Sequence, residues 1–261
     1  MKERYEILNT ALLPADLAVG ATLGLLKRAN LYDPLKSRVQ DLARNTLRKK
    51  FLEKHSLRIE GVENVPLEGG LVLAANHQSW LDAQVLGSTS PRFAHFLAKA
   101  MFKEWPMLRR FFDLTDVVYL TRGGDDVALN NAVEMLKGGG CIAIFPEGPI
   151  PGEEDIPRWA VEKETGLLRG HSGAIRWAIG AGVPIVPVGI SGTGACFPPE
   201  AFPRLERLPL EKAEPLKISY GKPITFDADP EKVTREELRE MTNQVMKAIS
   251  SLVDFSMHNP P

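Results

Sequence analysis

From about residue 56 onward, short apolar runs alternate with segments whose apolar residues recur every three to four positions. This alternation is typical of βα units that build a largely parallel sheet. Several of the runs are β-branched and apolar at consecutive positions, as strands buried on both faces require. The pattern predicts strands at residues 57–59, 71–75, 93–98, 117–120, 141–145, 185–190 and 216–220.

Two predicted helices carry clear boundary signals. Asp125 can cap a helix whose apolar residues recur at helical spacing up to Leu136, and the glycines at 138–140 end it. Thr234 and Glu237 form a capping box ahead of a second helical series of apolar residues. The predicted fold class is therefore α/β, with a mixed, largely parallel central sheet flanked by helices.

The N-terminal part of the chain has a different pattern. Residues 7–26 are rich in Leu and Ala, but Pro14 and Asp16 interrupt them before they reach the ~20 apolar residues that span a bilayer. A locally basic stretch follows, and this pairing suits a helix at the membrane interface. A helical hairpin packed on its own domain, with a solvated basic face, is an equal alternative. We predict a helical, membrane-associating segment at 1–50, ahead of the main domain at 51–261.

Composition narrows the function classes. A formal net charge of −1 argues against a nucleic-acid partner, because phosphate-backbone binders carry an excess of Lys and Arg. The histidines show no metal-ligand spacing, so no metal site is predicted. Cys141 and Cys196 match no metal or redox spacing, and both fit a reducing, cytosolic compartment.

The residues with candidate chemistry follow the predicted strand 71–75. They form the polar run Asn76-His77-Gln78-Ser79-Trp80-Leu81-Asp82, and ligand sites in open α/β sheets lie at such carboxyl ends of strands. If Ser79 caps the next helix, Asp82 falls in its first turn and its carboxylate can fold back toward His77. A histidine oriented by a carboxylate can take a proton from an alcohol near neutral pH.

Spacing alone leaves another interpretation open. Ser79 and Asp82 also fit a plain capping box, in which Asp82 accepts only backbone N–H groups and His77 is an ordinary loop residue. The later run Gly189–Gly194 offers no competing nucleophile, since it lacks both the lysine of a phosphate loop and the G-x-S-x-G pattern. We interpret this run as a turn that ends a strand.

A family resemblance favours the chemical interpretation. The run from Asn76 to Asp82 resembles the N-H-x-x-x-x-D block of the glycerolipid acyltransferase family, which includes 1-acylglycerol-3-phosphate acyltransferases. Three further segments resemble the family's other blocks in the same order. They are Lys99 with Arg122, Phe145-Pro146-Glu147-Gly148, and Val183-Pro184-Ile185-Val186-Pro187-Val188. The resemblance covers roughly residues 57 to 225.

The resemblance implies roles for these residues. His77 would be the general base and Asp82 its orienting partner, while Lys99 and Arg122 would contact the acceptor's phosphate. The remaining implied substrate-binding residues are Asn76, Ser79, Glu147 and Gly148. Backbone N–H groups near the start of the helix after Ser79 are expected to stabilise the oxyanion.

One block departs from the family pattern. The F-P-E-G block usually continues into T-R-S, but Pro149-Ile150-Pro151 follows here, so the expected arginine is missing. An anionic phosphate would ordinarily use such a donor. We hypothesise that Arg169 or Arg158 replaces it, or that the acceptor carries a different head group. The Pro- and Gly-rich stretch 148–158 is a candidate substrate loop or an ordinary surface excursion.

The implied activity is transfer of a fatty acyl group to a lysophospholipid hydroxyl, with 1-acylglycerol-3-phosphate giving phosphatidic acid as the first candidate. Acyl-CoA or acylated acyl carrier protein would be the co-substrate, and no cofactor is expected. The enzyme would sit on the cytoplasmic face of the membrane as a peripheral or monotopic protein. The alternatives are another lysolipid or amino-lipid acceptor, or a lipid esterase or thioesterase that uses the same His–Asp pair.

Overall fold

The computed structural model describes residues 19–99, 109, 117–120, 126–150, 161–198 and 213–257. Within them, the strands are β1 (Arg58–Glu60), β2 (Leu71–Ala75), β3 (His95–Lys99), β4 (Val118–Leu120), β5 (Cys141–Ile144), β6 (Ile185–Ser191) and β7 (Lys217–Tyr220). Each predicted strand is found within two residues of its predicted start. The agreement follows from the buried apolar runs, since β2 and β6 are buried at every position.

The strands form one mixed sheet in the order β1-β7-β6-β2-β5-β3-β4. β6, β2, β5, β3 and β4 are mutually parallel. β7 pairs antiparallel with β6, and β1 is parallel to β7, so these two strands at one side of the sheet run the opposite way. The largely parallel sheet predicted from sequence is therefore confirmed, and β2 lies at its centre between β5 and β6.

Helices cover both faces of the sheet. They are α1 (Tyr32–Lys54), α2 (Asp82–Thr89), α3 (Asp126–Lys137), α4 (Gly173–Ala181), the short α5 (Thr193–Cys196) and α6 (Arg235–Ser250). Leu71, Leu73 and Ala75 of β2 point to the core beneath α1 and α2. Val72 and Ala74 point to the core beneath α3, α4 and α6. The alternation of side chains along a strand thus divides the interior into two apolar layers.

The predicted capping box is present at the start of α6. The Thr234 hydroxyl accepts a hydrogen bond from the Glu237 backbone N–H, and the Glu237 carboxylate accepts one from the Thr234 N–H. α6 then buries Leu238, Val245 and Ile249 against the sheet. The expected helix after Asp125 is also present, although Asp125 itself lies outside the described residues.

The described part of the predicted N-terminal segment is largely helical, and its association with a membrane stays a prediction. Residues 19–28 are helical, and α1 continues to Lys54. α1 packs on α2, where the Arg44 guanidinium donates hydrogen bonds to the carbonyls of Gly87 and Ser90. Its other side leaves large apolar residues exposed. Among the described helices, none is both long and apolar enough to cross a bilayer.

Candidate active site

His77 and Asp82 form a contact pair at the carboxyl end of β2. His77 lies in the loop that follows Ala75, the last residue of β2, and Asp82 is the first residue of α2. The His77 Nδ1 atom lies 2.8 Å from Asp82 Oδ2. The carboxylate is fully buried, whereas the imidazole keeps 14% of its side-chain surface exposed. The pair predicted from the N-H-x-x-x-x-D spacing is therefore assembled, with its ring accessible to a substrate.

The carboxylate of Asp82 also accepts hydrogen bonds from the backbone of its own loop. Oδ2 accepts hydrogen bonds from the N–H groups of Gln78 (2.7 Å) and Ser79 (2.8 Å). The capping role and the histidine-orienting role were alternatives in sequence, and the structure combines them in one oxygen atom. Because Oδ2 is an acceptor for three donors, Nδ1 carries the proton and Nε2 is left as the basic nitrogen.

Two other residues contact this pair, and sequence reasoning did not assign either one to it. The Phe145 ring stacks on the His77 ring at a centroid distance of 4.0 Å and an interplanar angle of 11°. The Thr193 hydroxyl donates a hydrogen bond to Asp82 Oδ1. In the sequence, Phe145 is only the first residue of the F-P-E-G block, and Thr193 is part of a predicted turn.

Glu147 holds the histidine loop from the other side. Its Oε1 accepts the His77 N–H at 2.8 Å, and its Oε2 accepts the Leu168 N–H at 2.7 Å. Burial, with a smaller contribution from the nearby Asp82 charge, raises the pKa of this carboxyl to about 7, although the two backbone donors lower it. Glu147 thus ties the β2 loop to the segment before α4.

Asn76 and Ser79 are buried anchors of the same loop. The Asn76 side-chain amide donates to the Ile190 carbonyl and accepts from the Ile190 N–H, at 2.9 and 2.7 Å. The Ser79 hydroxyl donates to the Phe197 carbonyl at 2.6 Å. Both side chains are almost completely inaccessible. The structure therefore gives them a role in shaping the loop, and their predicted contact with substrate stays a prediction.

Several backbone N–H groups of the histidine loop and of the first turn of α2 are already engaged. The N–H groups of Gln78 and Ser79 bond to Asp82, that of His77 to Glu147, that of Leu81 to the Ser79 hydroxyl and that of Asp82 to the Ser79 carbonyl. The turn uses these five groups to hold the carboxylates and to start α2, and stabilisation of an oxyanion by other backbone N–H groups at the start of the helix stays a prediction.

The predicted basic residues lie in different places. Lys99 is the last residue of β3, two strands from β2, and its backbone pairs with Leu120 of β4. Arg122 and Arg158 lie outside the described residues, as do positions 151–158 of the candidate loop. The exposed Arg169 lines a surface cavity with Arg239, Lys247 and residues 162–165, and the lining includes neither His77 nor Asp82. Its proposed role as the replacement arginine gains no support from this location.

Gly148 occupies a backbone conformation that suits glycine. Its φ of +80° lies in the left-handed region, and a Cβ there would sit 3.5 Å from the His171 ring. The turn brings residues 146–148 beside the segment that carries His171, whose N–H donates to the Pro146 carbonyl at 2.8 Å. The glycine of the F-P-E-G block thus has a conformational role, and its predicted contact with the acceptor stays a prediction.

The fold and this site define a class of α/β protein with a histidine–carboxylate pair at the carboxyl end of its sheet. The Acyltransferase family model matches residues 56–191, which contain the pair and all four sequence blocks. The chain belongs to the Acyltransferase family.

Several curated proteins are similar to this chain. A lyso-ornithine lipid O-acyltransferase of Pseudomonas aeruginosa is 31% identical over 46% of this chain and 43% of its own length. A 1-acyl-sn-glycerol-3-phosphate acyltransferase of Neisseria gonorrhoeae is 30% identical over 46% and 44%. The match thus spans less than half the length of these two relatives. The solved structure of the acyltransferase PlsC from Thermotoga maritima shares the fold, with a TM-score of 0.61, 22% identity and coverage of 95% and 96%.

Proposed function

We propose that this protein transfers a fatty acyl group from a thioester to the free hydroxyl of a lysolipid. The observation that carries the proposal is the 2.8 Å contact between His77 and the buried Asp82, in a chain of the Acyltransferase family. Nε2 of His77 takes the hydroxyl proton as the lipid oxygen attacks the thioester carbonyl. The tetrahedral intermediate then expels the thiolate, which receives that proton from the imidazolium, so ester and thiol are the products.

The free hydroxyl of the lysolipid acceptor is itself the nucleophile. No acyl-enzyme is required, in keeping with the absence of a nucleophile elbow from the sequence. Asp82 keeps Nδ1 protonated and stabilises the imidazolium that forms. Phe145 packs flat on the ring and limits its rotation. The donor is acyl-CoA or acylated acyl carrier protein.

The first candidate acceptor is 1-acylglycerol-3-phosphate, with phosphatidic acid as the product. Support comes from the names of relatives in Neisseria and in Bacillus subtilis, the latter 24% identical over 80% of this chain. Lys99 and Arg122 are the proposed phosphate contacts, since their positions match the family's basic block.

A specific observation favours a second acceptor class, the amino-lipids. The F-P-E-G block continues into Pro149-Ile150-Pro151, so the arginine expected of a phosphate site is missing. One of the similar proteins is a lyso-ornithine lipid O-acyltransferase. An acceptor without phosphate would not need that arginine.

A panel of lysolipid acceptors, each offered with one labelled acyl thioester and scored by mass spectrometry, tests both acceptors. We expect a single acylated product class, formed from either 1-acylglycerol-3-phosphate or a lyso-amino-lipid at a rate well above the others. Release of free labelled fatty acid at the same rate with every acceptor and with none would contradict acyl transfer and favour the esterase or thioesterase alternative. Acyl-CoA and acyl carrier protein are compared in parallel to identify the donor.

We also propose that the N-terminal helices hold the enzyme at the cytoplasmic face of the membrane as a peripheral or monotopic protein. Leu31, directly before α1, recurs at helical spacing with Leu35, Val39 and Leu42 of that helix, and the four side chains are 43 to 69% exposed. Basic residues follow them along the same helix, and an anionic bilayer surface attracts such residues. An exposed apolar stripe beside positive charge combines the two weak signals needed for stable interfacial binding.

Replacing three residues of this stripe tests the membrane proposal. We expect Leu35→Gln/Val39→Gln/Leu42→Gln to weaken binding to anionic vesicles in a sedimentation assay by at least about tenfold, because burying each side chain contributes ~1.5–3 kcal/mol. Leu67→Gln is the matched control, since Leu67 is equally exposed but lies in the loop before β2. Unchanged sedimentation of the triple variant would contradict the proposal.

A further inference from the structure

The turn after β6 reaches the proposed catalytic pair. The sequence of Gly189–Gly194 predicts a turn that ends a strand, and the structure confirms it, because β6 ends at Ser191 and α5 begins at Thr193. The turn has a second feature that its composition did not reveal. The side chain of Thr193 is completely buried, and its hydroxyl donates a hydrogen bond to Asp82 Oδ1.

The two carboxylate oxygens of Asp82 have different partners. Oδ2 accepts hydrogen bonds from His77 and from two backbone N–H groups, and Oδ1 accepts from Thr193. With donors on both oxygens, the carboxylate plane is fixed about the Cβ–Cγ bond. A carboxylate held on Oδ2 alone can tilt, and any tilt is transmitted to the imidazole that it orients. The Thr193 hydroxyl therefore constrains the direction in which Nε2 points.

The same strand end anchors the loop that carries the pair. The Ile190 carbonyl accepts hydrogen bonds from the side-chain amides of both Asn76 and Gln78. Gly192 makes the turn possible, because its φ is +86° and a Cβ there would lie 2.2 Å from the Pro215 carbonyl oxygen. Thr193 and the histidine loop thus share one rigid frame at the carboxyl ends of the neighbouring strands β2 and β6.

We propose that Thr193 is a positioning residue for acyl transfer, the outer member of a hydrogen-bonded chain Thr193–Asp82–His77. This inference rests on the proposed function, because it assigns the residue to the same proton transfer. Thr193 does not touch the substrate in this scheme. It acts by holding Asp82, and misplacement of a reacting group by a fraction of an ångström to one ångström costs up to about 100-fold in rate.

Three threonine variants test the proposal with acyl thioester and the preferred lysolipid. Thr193→Val removes the hydroxyl and keeps the shape, and we expect kcat to fall about 10- to 100-fold with little change in KM. Thr193→Ser keeps a hydroxyl and is expected to stay within about threefold of wild type. Thr242→Val is the matched control, because Thr242 is also buried but donates its hydroxyl to the Leu238 carbonyl within α6. Melting temperatures verify that each variant is folded.

An NMR measurement tests the effect of Thr193 on the His77–Asp82 pair independently of acyl-transfer activity. The Nδ1–H proton of His77 is observed by NMR in ¹⁵N-histidine-labelled protein and assigned by its loss in His77→Ala. We expect Thr193→Val to shift this resonance, and Thr193→Ser and Thr242→Val to leave it in place.

The outcomes are distinguishable. If His77→Ala abolishes activity while Thr193→Val keeps both wild-type kcat and the wild-type resonance, the positioning role is wrong and the catalytic pair stands. If Thr193→Ser loses as much kcat as Thr193→Val, the hydroxyl is not the relevant group and the proposal also fails. If His77→Ala keeps full activity, His77 is not the base and the positioning role fails with it. If the wild-type protein acylates no lysolipid while Thr193→Val shifts the resonance, the proposed function fails although the Thr193 contact orients the pair.

Discussion

Replacing His77 with alanine is expected to lower kcat for acyl transfer by ~10²- to 10⁴-fold, the range that a positioned general base contributes. The imidazole is the group in the pair with exposed surface, and its Nδ1 atom is already committed to Asp82. Removing it leaves the lysolipid hydroxyl without a base while the buried carboxylate keeps its backbone donors. The measurement is the steady-state rate of lysolipid acylation, scored by product formation.

His171→Ala is the matched control for this prediction. His171 is exposed and lies in the segment beside Gly148, so the same substitution there leaves the His77–Asp82 contact intact. Its kcat is expected to stay close to that of wild type. A His77→Ala protein that retained wild-type turnover, with an unchanged melting temperature, would exclude His77 as the base.

Replacing Asp82 with asparagine is expected to lower the activity nearly as much as His77→Ala does, and also to destabilise the fold. The amide oxygen can still accept from the N–H groups of Gln78 and Ser79, but the charge that stabilises the imidazolium is lost. The Asn side chain also brings an NH₂ group toward the Thr193 hydroxyl or toward His77, according to its rotation. We expect kcat to fall by ~10²- to 10⁴-fold.

The accompanying loss of stability distinguishes Asp82 from His77. Asp82 is fully buried and receives four hydrogen bonds, so weakening them is expected to lower the free energy of unfolding by ~1–3 kcal/mol. Denaturant unfolding of both variants measures the difference. An Asp82→Asn protein as stable as His77→Ala would show that the carboxylate contributes little to holding the loop. Wild-type turnover would contradict its orienting role.

The sheet was predictable because burial leaves a local record in the sequence. A strand buried on both faces must be apolar along its whole length, and this made the runs that became β2, β5 and β6 recognisable without any knowledge of their neighbours. The capping box of α6 was predictable because it too is local. Thr234 and Glu237 are three residues apart and bond to each other. Strand order and the reversed direction of β7 and β1 depend on long-range pairing and were not predicted.

Within the site, the sequence alone determined the contact between residues that lie close together in the chain. His77 and Asp82 are five residues apart, and a β-strand followed by a turn and a helix is sufficient to bring them together. Spacing also raised the question of whether Asp82 caps its own loop or orients the histidine, but only the tertiary structure shows that one buried oxygen does both.

Only the tertiary structure decided the contacts that hold the pair, because their members are far apart in sequence and their side chains have no pattern of their own. Glu147 reaches the His77 backbone across 70 positions, and Thr193 reaches Asp82 across 111. The structure also shows that the N–H groups of Gln78, Ser79 and Leu81 are already bonded within the loop. The physical reason is common to these cases. A hydrogen bond is short and directional, so its pairing follows from the folded backbone and not from residue type.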